Sequence, residues 1–401
     1  MSLAITARPA PSAPAFFPGG VFVRRAALLL LLAEAAMLAF LIAWTHGAVV
    51  RLTHPTSTDF VSFYAAGVLA DAHLPALAYN HAIHALAEQQ ATAYGAPYQF
   101  FFYPPTFLPI CQILARLPYL PAFLLFQAVT LAAFLAAIRP VLAARGPWLI
   151  PVLAFPAVFW TIGLGQNAFL TAALLITAAR LADRRPVLAG LAAAALCYKP
   201  HFALLIPVAF AAGGYWRAFV TAALATLAAI AATLLAYGPA CWLAYLHVFA
   251  GSAAVYQSGR IDFAGIVTAF GAARLAGLAP GAAYAVQGVA SLAAAAGVAW
   301  LWRRHAAPEL RAAGLLAGTL LAVPLALLYD LMVLAGALAF LAALAARTGW
   351  RVGEKPAFLL AVTAALFGRY FAAPTHASLG FLSIVCVFAL VLIRAAAPHT
   401  R

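Results

Sequence analysis

Long apolar runs recur along nearly the whole chain, separated by short stretches where arginine, proline, glycine or an acid appears. At roughly 20 residues per crossing, such runs read as transmembrane helices. The first covers about 22–44, and further spans are predicted near 119–138, 147–164, 167–181, 187–199, 201–213, 217–237, 284–302, 312–328, 331–346, 356–370 and 378–394. Several are short for a full crossing, so the total is roughly ten to twelve. The period-two alternation of a membrane β-barrel never appears in the sequence. The expected fold is therefore an all-α, polytopic transmembrane helical protein.

Two stretches interrupt the pattern. Residues 45–104 form the longest polar stretch, and residues 105–117, though apolar, are bracketed by Pro104, Pro105, Pro118 and Pro121. Proline is tolerated at helix starts and breaks interiors, so 105–117 is predicted to lie at the outer face as a helix that does not cross. The first outer loop then spans 45–118 and is itself helical. The Gly- and Tyr-containing stretch 238–283 is predicted as a second outer loop with a short helix of its own. A single membrane domain, 22–394, stands between cytoplasmic tails at 1–21 and 395–401. Residues 1–20 are Pro- and Ala-rich without an apolar core ahead of a cleavage site, so the first run is read as a retained span.

Composition agrees with the pattern and sharpens it. Of 401 residues, 67% are hydrophobic and 8% charged, with mean hydropathy +1.01, far from a water-soluble domain. The net charge of +14 comes mostly from arginines placed singly or in pairs between apolar runs. That is a positive-inside signal and not a nucleic-acid surface. Arg24 and Arg25 put the N-terminus in the cytoplasm. Arg139, Arg145, Arg184, Arg185, Arg217, Arg303, Arg304, Arg347, Arg351 and Arg394 then fall on the inner side. The cysteines Cys111, Cys197, Cys241 and Cys386 lie far apart in apolar stretches and read as packing residues.

Ionisable groups are few in a membrane protein and correspondingly informative. Of nine acids, Asp183, Glu309 and Glu354 sit beside inner-side basic residues, as interfacial partners would. Glu34 is mid-span. Asp59, Asp71, Glu88, Asp262 and Asp330 all map to the outer side, where a site is expected. Asp59 opens a segment whose Phe60, Phe63, Tyr64 and Gly67 share one helical face. On local pattern Thr58 or Asp59 reads as a helix N-cap; Asp59 also reads as a carboxylate able to take a proton from a hydroxyl, and both can hold at once. Lys199, one of two lysines, lies between two apolar spans and needs an ion pair or a lipid phosphate to compensate it. Arg260 is a second phosphate candidate, with a salt bridge to Asp262 as the plain alternative; Arg369 is a third. Gln166 and Asn167 suit either hydroxyl binding or helix capping. The aromatic run Tyr98–Tyr103 fits an interfacial belt or a slot for a lipid tail. His73, His81 and His84 show no partner cluster, so no bound metal and no cofactor are expected.

Asp59-Phe60, Phe63-Tyr64, Ala78-Tyr79-Asn80 and Tyr103-Pro104-Pro105, followed by Gly165-Gln166-Asn167, Ala189-Gly190, Lys199-Pro200 and Tyr329-Asp330-Leu331, resemble in order and spacing glycosyltransferase family 87. Those enzymes have the GT-C fold and are similar to polyprenol-phosphate-mannose-dependent mannosyltransferases. The resemblance runs over roughly 22–346. It implies a GT-C-like hexosyltransferase moving a mannose-like hexose, with inversion, from a polyprenyl-phosphate donor to a hydroxyl of a glycolipid or glycan. Asp59 matches the family's first-loop base. Lys199, with Arg260, would hold the donor phosphate, and Tyr64, Tyr103, Gln166, Asn167, Tyr329 and Asp330 would touch substrate. Here Leu327 and Leu328 precede Tyr329, where the family often carries an acid or histidine. Implied partners are the lipid-linked donor, the acceptor and membrane lipids, with no nucleic acid. The implied location is the plasma membrane, with the site facing the periplasm or exterior and a role in the cell envelope. A leaving lipid phosphate needs no general acid, so one carboxylate suffices, unlike the pair in a glycosidase.

Two other functions remain open on sequence. A secondary transporter would gather ionisable groups near the bilayer midplane, often in inverted repeats; here the acids lie outside and no repeat is visible. A non-catalytic GT-C-like subunit of envelope assembly is the third possibility, since fold does not dictate activity. The enzyme reading requires Asp59 and Lys199 to converge on one outward-facing cavity.

Overall fold

A computed structural model describes residues 20–44, 58–92, 98–142, 148–257 and 262–397. Its elements are helical; the one β feature among the described residues is an isolated bridge between Ile266 and Leu327. The first apolar run is α1 (Gly20–Trp44). The polar stretch after it is folded: α2 (Phe60–Asp71) and α3 (His81–Ala91) flank a 3-10 turn at Pro75–Tyr79. An extended strip at 98–104 then leads into a 3-10 turn, Pro105–Phe107, and α4 (Leu108–Ala115). These last two have 3 and 8 residues, about 18 Å of helix. That is well short of the hydrocarbon core, as the flanking prolines foretold.

Prolines also break what the sequence presents as continuous spans. After α5 (Tyr119–Leu142), the run 147–164 divides into α6 (Leu149–Leu153) and α7 (Ala157–Leu164), with Pro156 as the N-cap of α7. α8 (Ala168–Leu181) follows. α9 (Pro186–Ala195) tightens into a 3-10 turn at Leu196–Tyr198 and stops at Pro200, where a second 3-10 turn, Pro200–Ala203, leads into α10 (Leu205–Ala212). The residue before a proline is steered away from helical angles, and Lys199 sits at φ −136°, ψ 64°.

α11 (Trp216–Gln257) departs from expectation. It continues as helix through the first part of the predicted second loop, past a kink at Gly238 and Pro239. The short helix expected in that loop is α12 (Ala269–Leu275). α13 (Pro280–Arg303), α14 (Pro308–Ala322), α15 (Leu331–Thr348), α16 (Glu354–Thr375) and α17 (Leu379–Ala396) complete the chain. Among the described residues, six helices are long and apolar enough to cross a membrane: α5, α11, α13, α15 with its preceding turn, α16 and α17. Five shorter apolar helices accompany them, and α1 carries Arg24, Arg25 and Glu34.

α15 is the axis of the bundle. It packs against α14, α8, α5 and α17, and 89% of its apolar window is buried, against 11% for α11. An apolar helix that hides so little of itself, with Leu224, Leu227 and Leu235 all exposed, is suited to face lipid.

The helices also sort polar chemistry to two ends. α5 begins at Tyr119, beside Thr58, and ends past Arg139. α15 begins beside Asp330 and ends at Thr348, whose hydroxyl meets Arg394. At this arginine-rich end, Asp183 pairs with Arg311 at 2.6 Å, Glu309 with Arg347 at 2.7 Å, and Glu354 with Arg394. The three acids expected to serve as interfacial partners each pair with an arginine of another helix, Asp183 with that of the distant α14 and Glu309 and Glu354 with that of the next helix along. The four cysteines are all free thiols.

Candidate active site

The opposite end of the bundle gathers most of the residues singled out from sequence. Asp59 precedes α2 as its N-cap, yet its side chain makes no capping hydrogen bond. Instead Asp59 Oδ2 accepts from Gln166 Nε2 at 2.7 Å. The amide orientation is fixed from the other side. Gln166 Oε1 accepts from the Asn167 backbone N–H at 3.3 Å and from the Tyr103 hydroxyl at 3.4 Å. Both are donors, so the NH2 group must face the carboxylate. Asn167 likewise precedes α8 without capping it. Its Oδ1 lies 3.5 Å from Lys199 Nζ. The capping alternative for Asp59 and Asn167 therefore fails: both side chains turn toward the cluster.

Local backbone explains why these groups meet. α7 ends at Gly165 in the left-handed region, φ +69°, which glycine adopts without steric cost. A Cβ there would come within 2.6 Å of Phe60 Cβ and 2.9 Å of the Phe123 ring. Gly165 thus lets α2 seat directly on the α7–α8 turn, bringing Asp59 to Gln166. From α5, Gln127 Nε2 donates to the Gln166 carbonyl at 3.1 Å and holds the same turn from below.

Lys199 is 6% exposed, at the break between α9 and α10. It donates to Asp330 Oδ1 at 2.7 Å and lies over the Phe202 and Tyr329 rings, 4.5 and 5.6 Å from their centroids. Asp330, 1% exposed, uses its other oxygen to accept from Leu327 N–H at 3.0 Å. Both carboxylate oxygens and the ammonium are thus compensated, as burial of such groups demands. Lys199 and Asp330, expected on phosphate and on sugar respectively, are bonded to each other in this form of the protein. Asp59 and Lys199 do converge, each on one residue of the Gln166–Asn167 pair. They converge on a nearly closed cluster, however, because the Lys199–Asp330 contact leaves no room for a third group between those two.

Tyr103 has its ring edge-on to Phe63 at 5.1 Å and close to Phe107 at 4.9 Å, and its hydroxyl points into the cluster. Tyr64 is not part of it. Its hydroxyl donates to Leu117 O at 2.9 Å and its ring packs on Tyr119, so it ties α2 to the turn before α5. Arg260 lies outside the described residues. Asp262, its proposed partner, pairs with Arg369 at 2.9 Å, which gives the third phosphate candidate a plain structural role. Burial raises the Asp59 carboxyl above the ordinary carboxylate range, while the Gln166 hydrogen bond and the Lys199 charge pull it back down. A carboxyl of this kind is a better proton acceptor than a solvated one.

Gln127 was not singled out from sequence, although a lone amide inside an apolar span is a visible signal. His84 also proves to have partners: Glu88, one turn along α3, and the Ser62 carbonyl.

This all-helical, polytopic membrane protein thus carries, at one end of its bundle, a carboxylate and a buried ammonium joined through one amide-bearing turn. The sequence profile of glycosyltransferase family 87 matches residues 101–328, more than half of the chain, and the chain belongs to that family. No curated protein and no solved structure matches it. The matched region contains Tyr103, Gln166, Asn167 and Lys199; Asp59 and Asp330 lie outside it and are bonded to it directly. The protein is a membrane glycosyltransferase.

Proposed function

We propose that this glycosyltransferase moves a mannose-like hexose from a polyprenyl-phosphate donor to a hydroxyl of a glycolipid or glycan, with inversion, at the outer face of the plasma membrane. The observation that carries the reading is the placement of Asp59 and Lys199 on the two sides of Gln166–Asn167. Asp59 removes the acceptor proton as its oxygen attacks the anomeric carbon. The sugar–phosphate bond breaks on the opposite face, and the negative charge departs on the lipid phosphate. Lys199 receives that charge after exchanging Asp330 for phosphate, and Asn167 supplies its amide beside it.

In the exchange the ammonium leaves one anion only when another takes its place, so the cation is never left buried and unpaired, and Asp330 keeps the Leu327 N–H as its remaining partner. Tyr103 and Gln166 are positioned for sugar or acceptor hydroxyls, with Tyr329 beside the phosphate. Orientation is supported by the arginine-rich end lying opposite this cluster, as positive-inside placement requires. The whole length of α15, 18 residues, or about 27 Å, separates the two.

The test is transfer by the purified protein in lipid nanodiscs, supplied in turn with radiolabelled polyprenyl-phosphate hexoses and nucleotide-linked hexoses plus a membrane-lipid extract as acceptor. Label should move to acceptor from a polyprenyl-phosphate donor. Transfer from nucleotide sugars alone overturns the donor assignment.

A further inference from the structure

α3 carries a second pair of titratable groups that the transfer step does not use. His84 is fully buried and Glu88 is 4% exposed. His84 Nε2 lies 3.1 Å from the Ser62 carbonyl oxygen, which can only accept, so Nε2 carries a proton. His84 Nδ1 faces Glu88 Oε1 at 3.6 Å, and neither atom has a hydrogen-bond partner. Glu88 Oε2 is satisfied by the Gln99 backbone N–H at 3.0 Å.

A neutral ring protonated at Nε2 presents a lone pair at Nδ1. An ionised Glu88 would set another lone pair against it in a dry interior, leaving two buried acceptors with no donor between them. One proton placed between Nδ1 and Oε1 satisfies both once a small side-chain rotation closes the 3.6 Å separation to hydrogen-bond length. That proton also serves the site, because the Ser62 carbonyl belongs to the first turn of α2, and Ser62 Oγ donates back to the Asp59 carbonyl at 3.0 Å.

We propose that His84 and Glu88 share one proton as a neutral imidazole–carboxylic acid pair, and that this pair is a positioning device which fixes the first turn of α2 and with it Asp59. The proposal rests on Asp59 acting as the base. Titratable groups on the elements around the pair are Asp59, Tyr64, Asp71, Tyr79, His81, Tyr98, Tyr103 and Tyr119. Burial is the main influence on both members: against the Gln99 hydrogen bond and with the help of the Asp59 charge it leaves Glu88 pushed up to about 8, and it pushes His84 down to about 4. At neutral pH the proton therefore stays on Glu88. Ionisation at higher pH strips His84 of its donor and puts a second anion near Asp59.

Infrared difference spectroscopy of the full-length protein in nanodiscs reads the proton directly. A protonated carboxylic-acid band should be present at pH 7, titrate away near the alkaline value, and be missing in Glu88→Gln. Transfer by wild type should fall over the same range. Glu88→Gln, whose amide donates to Nδ1 without titrating, should keep neutral-pH transfer and lose the alkaline fall. Glu88→Ala, which orphans Nδ1, should transfer about tenfold more slowly at neutral pH. An ionised Glu88 at pH 7, or a Glu88→Gln profile superimposable on wild type, overturns the proposal. If the band is present but Asp59→Asn transfers normally, the base assignment fails and the positioning role fails with it, while the shared proton stands.

Discussion

At Asp59 the decisive fact is that an N-cap position is occupied by a carboxylate that does not cap. Its oxygen is held by Gln166, and burial holds its proton affinity above the solvated value. A base must be unprotonated to act, so transfer should rise with pH through this raised pKa, giving an acid limb displaced upward from that of a free aspartate; a pH–rate profile locates it. Lys199→Ala removes one partner of a buried pair and strands Asp330. Such losses run to about 3–5 kcal/mol, so a lower thermal midpoint together with a raised KM for the lipid donor is expected. An unchanged donor KM would dissociate Lys199 from the phosphate. Asp59, Lys199, Gln166, Asn167 and Asp330 were legible in the sequence because polar residues in so apolar a chain are few. Their pairing was not, since nothing in a separation of 131 residues announces that Lys199 meets Asp330. The same holds for His84 and Ser62, 22 residues apart.

At the level of elements, apolar periodicity located almost every helix, and the prolines marked the breaks without saying what the breaks do. Lys199 reaches the interior because α9 stops before Pro200, and Gln166 does so because α7 stops at Gly165. Gly165→Ala should therefore act on Asp59 from a distance. A side chain at φ +69° that also meets Phe60 costs about 1–3 kcal/mol and displaces α2. Transfer should fall by more than stability alone explains, measured as specific activity of the folded fraction. Wild-type activity in folded Gly165→Ala protein would show that the seating of α2 on this turn is not required. The continuation of α11 beyond Gly238 was not legible, because a Gly-Pro pair between apolar residues reads as a loop boundary as readily as a kink.

For the whole molecule, Arg311, Arg347 and Arg394 with their acid partners gather at one end and the Asp59–Lys199 cluster at the other, while Arg116 and Arg369 pair with Asp71 and Asp262 away from the arginine-rich end. Single cysteines introduced at exposed positions report the orientation: Leu74→Cys at the cluster end and His305→Cys at the arginine end. A membrane-impermeant thiol reagent should label Leu74→Cys from outside intact cells and His305→Cys only after permeabilisation. The reverse pattern would put the site in the cytoplasm. The closeness of the cluster is also a property at this scale: under the proposed mechanism donor binding parts Lys199 from Asp330, groups carried by different segments of the bundle.

The most direct measurement is single-turnover hexose transfer at saturating polyprenyl-phosphate donor and acceptor, wild type against Asp59→Asn, in the same nanodiscs and with the fold verified for both. Loss of the proton acceptor should slow transfer by about 100-fold or more while labelled donor still binds. A rate within a few-fold of wild type would contradict a base at Asp59.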